Sequence, residues 1–117
     1  MQIKELLKII ENVLDERKGQ NIAILDVIGK TSITDYMIIV TATSERHANA
    51  LAEYVLVQVK ENGFSPLGVE GQKGSDWVLL DLGDVILHVM TAQARDFYQL
   101  EKLWSVERTD ESEVLGE

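Results

Sequence analysis

Residues 74–90, GSDWVLLDLGDVILHVM, constrain the fold of this chain more than any other segment. Two aliphatic runs flank Gly83-Asp84, a pair suited to a two-residue hairpin turn. With the turn there, Leu82 pairs with Val85, Leu80 with Leu87 and Val78 with Val89, so one face of the hairpin is wholly aliphatic and has to be buried. The two-residue period sends Trp77, Leu79, Asp81, Ile86, His88 and Met90 to the opposite face. The chain must therefore supply a layer against the first face, and the second face carries acids, a tryptophan and a histidine where aliphatic residues would have sufficed for a core.

The rest of the chain can supply that layer. Ile3, Leu6, Leu7, Ile10, Val13 and Leu14 recur at the helical period, and Gly19 after Arg17 and Lys18 reads as a helix stop. Residues 21–27 (NIAILDV) and 35–42 (DYMIIVTA) are short apolar strands, the second expected to be buried on both sides, with a loop between them. Ser44 can cap a helix over 45–62 whose inner stripe is Ala48, Leu51, Ala52, Val55 and Val59, with Gly63 at its end. Pro66 opens a short strand over 66–71, residues 73–75 form a turn, and the hairpin follows. A last helix is expected over 92–104, after Thr91, with Phe97, Leu100 and Trp104 on one stripe. The order αββαβββα predicts an α/β fold with a mixed five-stranded sheet and three helices.

One domain is expected over residues 1–104, because 117 residues at 45% hydrophobic composition suffice for a single core. Residues 105–117 hold five acids against one arginine and few apolar groups, the composition of a disordered acidic tail. No run approaches the roughly 20 apolar residues of a membrane span, and the N-terminal segment has acids where a signal peptide has none. A cytoplasmic protein with no membrane partner is the expectation. The formal charge of −9 argues against an electrostatic grip on nucleic-acid phosphates and for a basic protein partner.

Enzymatic readings find little support. With no cysteine and only His47 and His88, thiol chemistry and a cysteine- or histidine-rich metal site are excluded, and no cofactor is implied. Gly29-Lys30-Thr31 imitates the end of a phosphate-binding loop, but the glycine required five positions earlier is Ile24. Asp81 and Asp84 could hold magnesium for phosphoryl transfer only from one strand face, and Asp84 falls in the turn. Asp35, Ser44 and His47 name the members of a hydrolytic triad, yet Ser44 has a simpler role as a helix cap. Arg46 and His47 read as surface or partner contacts. For the second hairpin face two readings stand: a helix covers it, with Trp77 filling a gap and His88 hydrogen-bonded in the core, or Trp77 beside Glu70, Asp76, Asp81 and Asp84 forms a recognition surface.

Several segments together are similar to the ribosomal silencing factor family, also called Iojap. They are Thr34-Asp35-Tyr36, Thr43-Ser44 followed by Arg46-His47, Gly68 with Glu70-Gly71, Asp76-Trp77, and Asp81-Leu82-Gly83-Asp84 with His88 and Met90. Arg95 with Phe97-Tyr98, Glu101 and Leu103-Trp104 completes the set, so the resemblance covers about residues 20–104. It implies a nucleotidyltransferase-like topology without an intact active site, and a non-enzymatic factor that binds the large ribosomal subunit through its basic protein number fourteen. Occupying that place would block joining of the small subunit and repress translation under nutrient limitation. The partner-binding residues would be Glu70, Asp76, Trp77, Asp81, Asp84, His88, Met90 and Tyr98, with no specific nucleic-acid site, and a homodimer in isolation is part of the same implication. The alternatives are a magnesium-dependent nucleotidyltransferase-like enzyme or a non-catalytic dimeric adaptor. One departure is Thr41-Ala42-Thr43-Ser44, where the family usually has glycine at the second position, which questions whether the backbone there needs a glycine-like conformation.

Overall fold

The computed structural model describes residues 2–71 and 75–100. The element order is α1 (Gln2–Glu16), β1 (Gln20–Asp26), β2 (Tyr36–Ala42), α2 (Glu45–Glu61), β3 (Gly68–Glu70), β4 (Trp77–Asp81), β5 (Val85–Thr91) and α3 (Ala92–Tyr98). The strands form one mixed sheet in the order β1-β2-β5-β4-β3, in which only β2 and β5 run parallel. Fold class and element order match the sequence reading. The acidic tail and the end of the expected third helix lie outside the described residues.

The hairpin forms in the expected register, with Leu80 opposite Leu87 and Val78 opposite Val89. The Leu82 N–H donates to the Val85 carbonyl at 2.9 Å, and Gly83 takes φ +88° as the first central residue of the turn, a position where glycine carries no steric penalty. Its aliphatic face joins Ile38, Val40 and Ala42 of β2 against the inner stripes of α1 (Leu6, Ile10, Val13, Leu14) and α2 (Ala48, Leu51, Ala52, Val55, Val59). This is the main core. The central strands β2 and β5 are buried on both faces over almost their whole length.

Local chemistry sets the helix ends. Ser44 is extended and accepts the His47 N–H to cap α2, and Thr91 does the same for α3 through the Ala94 N–H. α1 ends earlier than expected: Lys18, at φ 68°, takes the left-handed conformation assigned to Gly19. Gly19 is needed for room instead, since a Cβ there would lie 2.7 Å from Val40 Cγ2. α3 also stops early, at Tyr98, because Gln99 turns left-handed at φ 51°. Ala42 sits buried in β2 without a positive φ, so no glycine is required at that position.

Leu80 is fully buried in the main core. Leu80→Ala removes that side chain from a closely packed layer and is expected to lower unfolding free energy by roughly 2–5 kcal/mol, read from denaturant or thermal melts.

Candidate functional site

The second sheet face is built in rows. Ala23, Ile39, His88, Leu79 and Glu70 lie side by side from β1 to β3, and Leu25, Met37, Ile86, Asp81 and Gly68 form the next row. A third row places Thr41, Met90 and Trp77 at the end of the sheet where α3 begins. α3 covers one part of this face through a small cluster of Leu25, Val27, Met37, Ile39, Met90 and Ala94, against which Trp77 and Leu100 pack. Two polar or aromatic contacts fasten it: Arg95 Nη1 donates to Thr41 Oγ1 at 2.8 Å, and the Tyr98 ring lies on Trp77 with centroids 4.6 Å apart.

Toward β4 and β3 the described residues cover the face less. Trp77, Leu79 and Asp81 are half-buried, Glu70 and Asp76 are exposed, and Phe97 stands 77% exposed with its ring edge-on to Tyr98 at 4.9 Å. The result is a ladder of three aromatic rings, Trp77, Tyr98 and Phe97, rimmed by carboxylates. Such a surface offers contact area at low entropic cost, and its acids favour a cationic neighbour.

Trp77 is held from below. Its indole N–H donates to His88 Nδ1 at 3.0 Å. An indole can only donate, so Nδ1 carries a lone pair and the proton of the neutral ring is on Nε2. His88 is 5% exposed, and its Nε2 is buried with no hydrogen-bond partner among the described residues. Burial disfavours the imidazolium and lowers the pKa from 6.5 to about 4.

The other residues singled out from sequence occupy distinct places. Asp81 Oδ1 accepts the Gly83 N–H at 3.0 Å and so braces the hairpin turn. Asp84 is exposed in the turn, its carbonyl accepting the N–H groups of Asp35 and Tyr36. Asp76 gives its carbonyl to the Thr91 N–H. Met90 has no exposed surface and His88 very little, so both support the face from beneath. Phe97 is exposed while Leu100, expected on the same stripe, packs against the second-face cluster, because the left-handed Gln99 between them breaks the helix and with it the stripe.

The triad does not assemble. Asp35 and Ser44 lie at opposite ends of the seven-residue β2, roughly 20 Å apart along the strand. Both nitrogens of His47 are engaged, Nδ1 with the Thr43 N–H at 2.9 Å and Nε2 with the Arg17 carbonyl at 2.9 Å. His47 therefore ties the end of α1 to the start of α2 and is less a free surface group than the sequence suggested. No group of three or more His, Asp or Glu side chains able to hold a metal ion occurs among the described residues, and no described helix is long and apolar enough to cross a membrane.

A family model described as ribosomal silencing factor during starvation matches residues 1–116. The chain is 46% identical over 100 residues to a ribosomal silencing factor from Haemophilus influenzae, covering 86% of this chain and 98% of that one. A crystal structure of a protein from Chromobacterium violaceum superposes with a TM-score of 0.87 at 42% identity, covering 90% of this chain and 88% of that one. A mouse protein named mitochondrial assembly of ribosomal large subunit protein 1 is 28% identical over 108 residues, covering 90% of this chain and 47% of that one.

The buried imidazole makes stability depend on pH. Above pH 6.5 both folded and unfolded states hold His88 neutral; between 6.5 and about 4 only the unfolded chain takes up the proton, so stability falls as pH falls. The loss attributable to this residue reaches about 3 kcal/mol near pH 4. His88→Asn keeps an acceptor for the indole but does not titrate, and its stability is expected to decline less steeply than that of the parent between pH 6.5 and 4. Parallel slopes in denaturant titrations would show that the imidazole is not the group responsible.

Proposed function

Because this chain belongs to the ribosomal silencing factor family, we propose that it silences translation by docking on the large ribosomal subunit through the aromatic, acid-rimmed part of its second sheet face. The observation that carries the reading is the Trp77–Tyr98–Phe97 ladder, left uncovered at the edge of α3 beside Glu70 and Asp76. Aromatic rings of this kind supply most of the binding energy at many protein interfaces, and carboxylates around them select a basic surface. The partner of that chemistry is a basic protein of the large subunit, the one numbered fourteen. The mouse relative, named for assembly of the large ribosomal subunit, supports the choice of subunit.

Silencing then follows from bulk. A domain seated where the small subunit must join excludes it without any chemical step, so the factor acts as a plug and is not an enzyme. Trp77 and Tyr98 are the anchors, Glu70, Asp76 and Asp84 the steering charges, and Asp81 shapes the turn that presents Asp84. His88 and Met90 hold the face in shape.

Co-sedimentation tests the reading directly: the chain is expected to pellet with purified large subunits and not with small ones, less at higher salt because the rim contacts are screened. Phe97→Ala separates interface from fold. With the ring 77% exposed, its loss is expected to leave the melting temperature nearly unchanged. Affinity for large subunits should drop about tenfold or more, as when interface aromatics are truncated. Equal pelleting with both subunits, or full affinity in both Phe97→Ala and Tyr98→Ala, would place the interface elsewhere.

A further inference from the structure

In a chain with 20 acidic and 11 basic residues, one concavity carries only positive charge. An open cleft of about 460 Å³ lies where the end of α1, the start of β1 and the first turn of α2 meet, and Arg17, Lys18, Thr43, Ser44, Arg46 and His47 are among the residues that line it. No carboxylate does. Arg17 and Lys18 follow the C-terminal end of α1, where cations are ordinary. Arg46 is not ordinary: it occupies the first turn of α2, where the helix dipole disfavours a cation, and it lines the same cleft as Lys18.

Neither Lys18 nor Arg46 has an ion-pair partner among the described residues. The Arg17 guanidinium is held over the Tyr54 ring at 3.8 Å, where it borders a neighbouring pocket lined also by Glu16, so Lys18 and Arg46 carry the charge of this cleft. His47 fixes the wall by bonding to the Thr43 N–H and the Arg17 carbonyl, so the cleft is shaped before any ligand arrives. Holding Lys18 and Arg46 beside one cleft that no carboxylate lines leaves their mutual repulsion unrelieved, and an anion entering the cleft would relieve it.

We propose that this cleft is a binding site for phosphate oxyanions, occupied by a backbone phosphate of ribosomal RNA when the chain is docked. The occupant rests on the docking reading above; the oxyanion chemistry does not. A phosphate suits the donors, since Arg46 and Lys18 supply charge, and the Ser44 hydroxyl, which accepts the His47 N–H, keeps its own proton to donate. The overall negative charge disfavours free polyanions at long range, so the site acts once docking on the aromatic face has brought RNA close.

Two measurements on the full chain decide the matter. In the first, amide NMR shifts of residues 43–47 are followed on adding inorganic phosphate, ADP or a short single-stranded RNA to the parent, Arg46→Gln and Lys18→Gln. In the second, large-subunit binding is measured across a salt series. The expected result is saturable shifts that are largest with RNA and lost in both variants, with the salt dependence of subunit binding reduced by roughly 0.7 to 0.9 in log Kd per log salt for each cation removed. Because Arg46 opposes the helix dipole, Arg46→Gln should melt at or above the parent temperature, whereas a merely structural arginine would lower it. Saturation by phosphate or ADP as tightly as by RNA, with the salt slope unchanged, would overturn the RNA assignment in favour of a free phosphate compound. No shift with any probe together with an unchanged slope would overturn the site itself. Failure of the parent to bind subunits at any salt would count against the docking reading, and the solution titration would still decide the oxyanion chemistry.

Discussion

The parallel pairing of β2 with β5 governs the rest of the molecule. Tyr36 through Ala42 run in register with Val85 through Thr91 at the centre of the sheet. Parallel neighbours cannot be joined by a tight turn, so the chain must cross over between them, and it does so with α2, β3 and β4. The same pairing brings both strands to their ends at one edge, Ala42 beside Thr91. α2 and α3 therefore begin next to each other and diverge, α2 onto the aliphatic face and α3 onto the other. The cationic cleft at the start of α2 and the aromatic ladder carried by α3 are both consequences of where those two strands stop.

The two faces handle burial differently. Two helices of 15 and 17 residues cover the first face, so aliphatic side chains suffice there. Among the described residues, a single named helix of seven residues serves the second. Where its cover ends, side chains must be tolerable both against the sheet and in water, and an indole meets that demand because its body is apolar and its N–H can be satisfied from below. His88 provides that acceptor at the cost of a buried Nε2–H without a partner. A leucine in its place would remove the orphan donor but leave the indole N–H unpaired, and the tryptophan would lose the bond that fixes its ring at the rim.

Much of the fold was legible because its signals are local. The Gly83-Asp84 turn, the Ser44 cap and the helical stripes each follow from residues a few positions apart, and the hairpin register follows from the turn alone. What escaped depends on contacts distant in sequence or on backbone details without a residue signature. Lys18 takes the left-handed conformation, and Gly19 is required for its small size against Val40, a neighbour 21 positions away. The Arg95–Thr41 bond spans 54 positions, and nothing near either residue announces it. Trp77 and Tyr98 were singled out from sequence, but Phe97 was placed on one stripe with Leu100 because periodicity assumes an unbroken helix, and the left-handed Gln99 between them breaks it. The sequence likewise placed His88 and Met90 on the recognition face without showing that burial puts them beneath it.

Net charge says little about local chemistry for the same reason. A total of −9 argues against holding phosphates, and as a statement about long-range approach it stands. Folding, however, sorts the charges: Glu70 and Asp76 flank the aromatic ladder, while Lys18 and Arg46 line a cleft without a carboxylate. Screening at physiological ionic strength confines each set to a range of about 8 Å, so each patch responds to its own neighbour and not to the sum. In the docking proposed above, a surface made of basic protein and RNA would present the complement of both patches and favour an orientation that satisfies both at once. Segregated charge thus restricts the docked pose in a way that aromatic burial, which is indifferent to direction, cannot.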